Sequence, residues 1–181
     1  MASRLGEERQ SRAASLPLLG VLSAAAVAAY VFESLIPTPL PWVRLGLSNI
    51  VVLVALFAYG FRRAFVVNLV RIVGGNALTG LLLSPAFVFS IVGSTCALFV
   101  MGFARWKLVP PLSVTGTSVL GAVTSNAAQV LVFTALFAQA DVARNLAGIF
   151  VLIGVATGVV TGVVAAAILA KVRLARPRAL S

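Results

Sequence analysis

From Leu16 onward the chain is a succession of apolar runs of roughly twenty residues, each closed by prolines or by basic side chains. No other feature constrains its fold as much. Runs of that length match the thickness of a bilayer's hydrocarbon core, which a helix crosses in roughly 20 residues. Composition agrees: 61% of the residues are hydrophobic and 10% charged, against roughly 25% charged in soluble domains. Mean hydropathy is +1.10. A soluble globular domain, a disordered chain and a disulfide scaffold are excluded. A membrane barrel is excluded too, because its strands would alternate apolar and polar residues whereas these runs are continuous.

Six runs are distinguished. The first spans Leu16 to Ile36, and Pro37, Pro39 and Pro41 break it, with Trp42 suited to an interface. The second, Leu45 to Gly60, is short and is closed by Arg62-Arg63. The third, Ala64 to Leu83, ends at Ser84-Pro85. The fourth, Ala86 to Ala104, is followed by Arg105-Trp106-Lys107 and Pro110-Pro111. The fifth runs from Leu112 to Ala138, and Gln139 to Asn145 is expected as a polar loop. The sixth, Leu146 to Ala170, precedes Lys171, Arg173, Arg176 and Arg178. A basic start and Ala24-Ala25-Ala26 also fit a cleaved signal peptide, but the first run is long enough to span, and a span is the reading adopted.

The formal charge is +10, from 14 basic and 4 acidic residues. In a soluble protein that balance points to nucleic acid; here the basic residues sit at run ends, where they set topology, and no nucleic acid is expected. With the N-terminus in the cytoplasm and six spans, Arg4, Arg9, Arg12, Arg62, Arg63, Arg105, Lys107, Lys171, Arg173, Arg176 and Arg178 all fall inside. Only Arg44 and Arg144 fall outside, and Arg71 lies within a span. The expectation is an all-α, polytopic membrane protein of six transmembrane helices with both termini cytoplasmic. Residues 1–15 form a cytoplasmic tail, 16–170 the membrane domain and 171–181 a basic cytoplasmic tail. The expected location is a membrane that the chain crosses several times.

Polar residues inside the spans carry the functional reading. Arg71 lies roughly 12 Å deep at 1.5 Å per residue. There an arginine costs about 2.5–3.5 kcal/mol on insertion scales and needs a partner or a wet cavity. The bland reading is snorkelling to the inner surface. Asn68, Arg71, Gly75, Asn76 and Thr79 share an arc of about 140° on the third helix. Thr115, Ser118, Ala122, Ser125 and Gln129 form a stripe on the fifth, with Asn126 beside it. These amides serve either as glue between helices or as the lining of a solute site. Glu33 is the only acid inside a span. With Arg44 it makes an outer salt bridge, or the two groups simply reach water, or with Asn49 they rim an outward pocket.

Small residues mark packing faces: Gly154, Gly158 and Gly162 on the sixth helix, and Ser90, Gly93, Ala97 and Met101 on the fourth. On the first helix Ala24 and Ala28, and Ala25 and Ala29, have the same spacing.

Other chemistry is missing. There is no phosphate-binding G-x-x-x-x-G-K-[ST] loop, no histidine and a single cysteine, Cys96, so neither a metal site nor a cofactor is expected. The acids Glu7, Glu8, Glu33 and Asp141 are too scattered for paired acid–base work. One aspartate cannot supply the clusters that hold a magnesium diphosphate, so catalysis by this chain alone is not expected.

Val43-Arg44-Leu45-Gly46-Leu47-Ser48-Asn49-Ile50-Val51, followed by Tyr59-Gly60, is similar to the KLGLANIV…G signature of the heptaprenyl diphosphate synthase component I family, also called the Gx transporter family. Val70-Arg71, Gly74-Gly75, Thr79-Gly80, Phe89-Ser90 with Gly93, Met101, Ser113-Val114, Leu120-Gly121-Ala122 and Ser125-Asn126-Ala127-Ala128-Gln129 extend the resemblance over residues 20–165. Arg44 stands where a lysine is usual, and Ser125 where a histidine precedes the asparagine.

The family label implies a membrane accessory subunit of a polyprenyl diphosphate synthase in isoprenoid-quinone biosynthesis, partnered by a soluble synthase subunit. The family's architecture instead resembles the substrate-binding S components of energy-coupling factor transporters. That implies an S-component-like bundle which binds an isoprenoid- or vitamin-like small molecule and meets a transmembrane coupling subunit with ATPases. The docking face would then map to Ala24, Ala25, Ala28 and Ala29. Transport is the favoured reading. The expected site residues are Glu33, Arg44, Asn49, Arg71, Asn76, Asn126 and Gln129, with the arginines meeting an anionic group and membrane lipid surrounding the whole.

Overall fold

The computed structural model describes residues 2–36, 46–108, 112–137 and 140–175. Among them are six α-helices: α1 (Ala2–Ser34), α2 (Leu47–Tyr59), α3 (Phe61–Leu78), α4 (Pro85–Lys107), α5 (Val114–Phe137) and α6 (Ala140–Ala175). Every apolar run becomes a helix, with ends that differ from the sequence expectation. Helix α1 begins at Ala2, ahead of the first apolar run, and α6 begins at Ala140, taking up most of the stretch expected as a polar loop.

Four segments are long and apolar enough to cross a membrane: Pro17–Ser34, Pro85–Lys107, Val114–Phe137 and Ala147–Val172. Helix α2 has 13 residues, roughly 20 Å at 1.5 Å per residue, short of a core of about 30 Å. Helix α3 has 18 residues but carries Arg62, Arg63, Asn68, Arg71 and Asn76. These two elements form a tight helical hairpin joined by Gly60 alone, whose φ of 92° is open to glycine and strained for other residues. Helix α3 stops at Leu78, earlier than Ser84-Pro85, because Gly80 turns the chain with φ 71°. Pro85 occupies the first turn of α4, where its missing N–H is not needed, and Arg105 and Lys107 face the negative end of that helix's dipole.

The helices pack as two halves. In one, α1 lies against both α2 and α3; in the other, α5 lies against both α4 and α6. The halves meet along α2 with α6 and along α3 with α4. Glycines make the second half close. A Cβ on Gly158 would lie 2.6 Å from the Val119 Cα, and one on Gly162 would lie 2.7 Å from the Thr115 Cα. The small-residue ridge of α6 is thus pressed on the α5 backbone. The narrow face of α4 behaves alike: Met101 fills the space at Gly121, and Ala97 is fully buried.

The two ends of the bundle differ. Toward Gly60, Leu53, Leu56, Ala64, Val67, Ala97, Leu98, Met101, Ala165 and Leu169 form a continuous apolar core drawn from both halves. Toward Gly46, the buried residues are largely polar. Outward faces carry Val21, Phe32, Leu83, Phe103, Leu131 and Leu152, all exposed. In water such a surface would aggregate; in lipid it is the expected solvent-facing side.

Candidate functional site

Helix α3 presents Arg71 to the seam between the halves. The side chain is 3% exposed and is held by three helices. Its Nη1 donates to Ser48 Oγ (2.9 Å) and Asn49 Oδ1 (2.8 Å) of α2. Its Nη2 donates to Asn68 Oδ1 (2.7 Å) on its own helix and to Ser94 Oγ (2.8 Å) of α4. The guanidinium is therefore turned into the bundle, among side chains of α2, α3 and α4. All four Nη hydrogens are spent on neutral acceptors, so an anion reaches them only by displacing one.

Glu33 of α1 is 2% exposed and closes the same network. Its carboxylate accepts the Gly46 N–H and, at 3.2 Å, the Ser48 hydroxyl. Gly46 is the N-cap of α2, with φ 81° and no side-chain cap of its own. Glu33 thus supplies, from another helix, the negative group that a helix N-terminus favours. Rather than rimming a pocket mouth, Glu33 is part of a buried wall. Arg44, its expected partner, lies outside the described residues.

These groups surround a largely enclosed cavity of about 60 Å³. Helix α1 contributes Tyr30 and Glu33; Gly46 and α2 contribute Ser48 and Asn49; α3 contributes Arg71. On the other half, α4 gives Ala86, Phe89, Ser90 and Ser94, α5 gives Ala122, Ser125, Asn126 and Gln129, and α6 gives Thr157 and Thr161. At about 10–15 Å³ per water, the space holds about four waters. Sites for drug-sized ligands run to about 300–1,000 Å³, so the chamber is smaller than such a site.

Of the expected site residues, Glu33, Asn49, Arg71, Asn126 and Gln129 come together around this chamber. Asn76 does not line it: it is fully buried, its amide donates to Ile72 O (2.7 Å), and its Oδ1 has no hydrogen-bond partner. Asn126 lines the wall but gives its amide to Phe150 O (2.8 Å), tying α5 to α6. Gln129 is different. Its Nε2 donates to Ser125 Oγ (3.1 Å), while its buried Oε1 has no protein partner. Gly93 leaves it room: a Cβ there would lie 3.0 Å from both Gln129 Nε2 and Ser125 Oγ.

The sequence reading missed Tyr30, Ser48, Ser94, Thr157 and Thr161. Tyr30 is 2% exposed, and its hydroxyl pairs with Ser90 Oγ (3.1 Å) across the chamber. Thr161 pairs with Ser118 Oγ (2.9 Å), and its methyl would lie 3.4 Å from a Cβ added at Gly46. Ser48 was within reach, since it sits in the Gly-Leu-Ser-Asn block next to Asn49. The threonines of α6 carried no signal beyond their hydroxyls.

An apolar exterior, membrane-length helices and a buried polar chamber between two helical halves define the class: a helical membrane protein with an internal polar site. The chain belongs to the heptaprenyl diphosphate synthase component I family, whose model matches residues 22–168. No curated protein and no solved structure matches it.

Proposed function

We propose that the protein is a solute-binding membrane transport protein, similar in kind to the S components of energy-coupling factor transporters. The chamber takes the polar part of a small isoprenoid- or vitamin-like molecule. The observation that carries this is the buried Gln129 Oε1, left without a protein hydrogen-bond partner in the wall of the chamber. A buried acceptor without a donor costs about 1–3 kcal/mol, and a bound hydroxyl, amide or ammonium removes that cost. Arg71 and Glu33 set the shape and polarity of the wall. Asn49, Asn126 and Gln129 face the solute with them, and Arg44 remains a candidate.

On this reading six helices cross a bacterial inner membrane with both termini inside, and energy comes from a partner with ATPases. Ala24, Ala25 and Ala28 are exposed on α1. Ala24 and Ala28 line an open apolar groove of about 720 Å³ between α1 and α3, a surface suited to a transmembrane coupling subunit.

The family's description favours a second reading, a membrane subunit that partners a soluble polyprenyl synthase. Purification in mild detergent, with identification of co-purifying proteins and small molecules, separates the two. A coupling subunit with ATPases and a retained small molecule supports transport. A partner with aspartate-rich motifs, and prenyl elongation only in the pair, supports the synthase.

A further inference from the structure

A chamber with room for about four waters admits a larger solute only if the bundle opens. The packing says where. Toward Gly60 the two halves share one apolar core, and Arg105 of α4 fastens them by donating to Leu56 O, near the end of α2, with its guanidinium 5.6 Å from the Phe57 ring centre. Toward Gly46 the seam is polar, and among the described residues Tyr30 pairs with Ser90 at 3.1 Å and Arg71 donates to Ser94 at 2.8 Å across it. Both end on hydroxyls one turn apart on α4. Within the α4–α6 half, by contrast, contact is backbone-close, as at Gly158 and Gly162.

We infer that the chamber opens by parting the α1–α3 half from the α4–α6 half at the Gly46 end, hinged on the apolar core near Gly60, with Tyr30–Ser90 and Arg71–Ser94 as its latches. This rests on the reading of the chamber as a solute site, because the movement is the solute's way in. Polar latches suit the task. A hydrogen bond to a hydroxyl is worth about 1 kcal/mol net, strong enough to favour the closed form and weak enough for a bound solute to offset. The apolar core has no such discrete contacts to exchange, so it serves as the fixed end.

The test uses the full-length chain in nanodiscs, with Cys96→Ala and a single reporter, Ser125→Cys, in the chamber wall. Its reaction rate with a charged methanethiosulfonate reagent reads how often the chamber opens. Tyr30→Phe keeps the ring and removes one latch; Ser94→Ala removes part of the other. Each is expected to raise the rate about five-fold, the equivalent of about 1 kcal/mol. Ser118→Ala breaks the comparable bond to Thr161 inside one half and is expected to leave the rate within about two-fold. A reporter at Ala97→Cys, in the fixed end, is expected to stay unreactive in every background. Equal acceleration by Ser118→Ala, no acceleration by either latch variant, or faster labelling at Ala97→Cys would overturn the hinge. None of these rates depends on a solute, so a failure to find one would remove the transport reading and leave the labelling result intact.

Discussion

The guanidinium of Arg71 and the carboxylate of Glu33 meet through one hydroxyl. Ser48 accepts from Arg71 Nη1 at 2.9 Å and donates to Glu33 Oε2 at 3.2 Å. Three helices are joined at that point, and each residue of the relay is buried. The arrangement places an opposite charge near the buried cation and fixes the N-terminus of α2 by the same contact.

Breaking this relay is costly when done from one side. Arg71→Met leaves a buried carboxylate without its counter-charge, and is expected to destabilise by about 3–5 kcal/mol. Glu33→Gln leaves the cation uncompensated. The double variant is expected to lose less than the sum of the two, with a coupling of about 0.5–3 kcal/mol. Thermal unfolding of the four proteins in one detergent measures it. Strict additivity would mean that the two charges do not sense each other through Ser48.

Glycines of α6 differ in their tolerance. A Cβ at Gly158 meets the α5 backbone at 2.6 Å, whereas one at Gly148 meets nothing within 4 Å. Gly158→Ala is expected to destabilise by about 1–3 kcal/mol. Gly148→Ala is expected to be neutral or to stabilise by up to about 1 kcal/mol, since alanine is the better helix former. Midpoints of thermal unfolding compare them directly.

Gly75 is matched to one ring. A Cβ there would lie 2.2 Å from Tyr30 Cδ1, so Gly75→Ala is expected to push Tyr30 off Ser90 and lower the melting temperature. Tyr30→Val makes room, and Gly75→Ala with Tyr30→Val is expected to be more stable than Gly75→Ala alone. A double variant no better than the single would place the clash elsewhere.

Two amides separate solute binding from packing. Gln129→Met removes the free acceptor at the chamber and is expected to lower retention of a co-purified solute about tenfold, the equivalent of about 1.4 kcal/mol. Asn76→Leu lies outside the chamber and is expected to change retention little. Mass spectrometry of the extracted small molecules gives both ratios. Equal losses would assign the effect to general loosening.

Much of this was legible in the sequence. The runs ending at Ser84-Pro85 and Arg105-Trp106-Lys107 mark elements whose polar face cannot be left to lipid, and Arg71 names that face on α3. The fourfold glycine spacing of α6 gives its packing side. Legibility ended where direction mattered. Asn76 follows Arg71 by five residues, about 140° around the helix, so a shared stripe did not guarantee a shared cavity. Ser48, Ser94, Thr157 and Thr161 were unremarkable because a hydroxyl in a span can always bond back to its own helix, as Thr157 does to Ile153 O at 2.8 Å. Only tertiary packing shows which hydroxyls face an interior space. Glu33 was recognised as unusual, but its partners, Gly46 and Ser48, depend on how the chain returns into α2.

The central claim is that a polar solute occupies the chamber between the two halves. Native mass spectrometry of the full-length protein, extracted from its own membrane in mild detergent, tests this most directly when wild type is compared with Gln129→Met. The account predicts one small molecule bound to the wild type and lost, or reduced about tenfold, in the variant, with both proteins folded. A wild-type protein carrying no small molecule, or a variant carrying the same one undiminished, would contradict it.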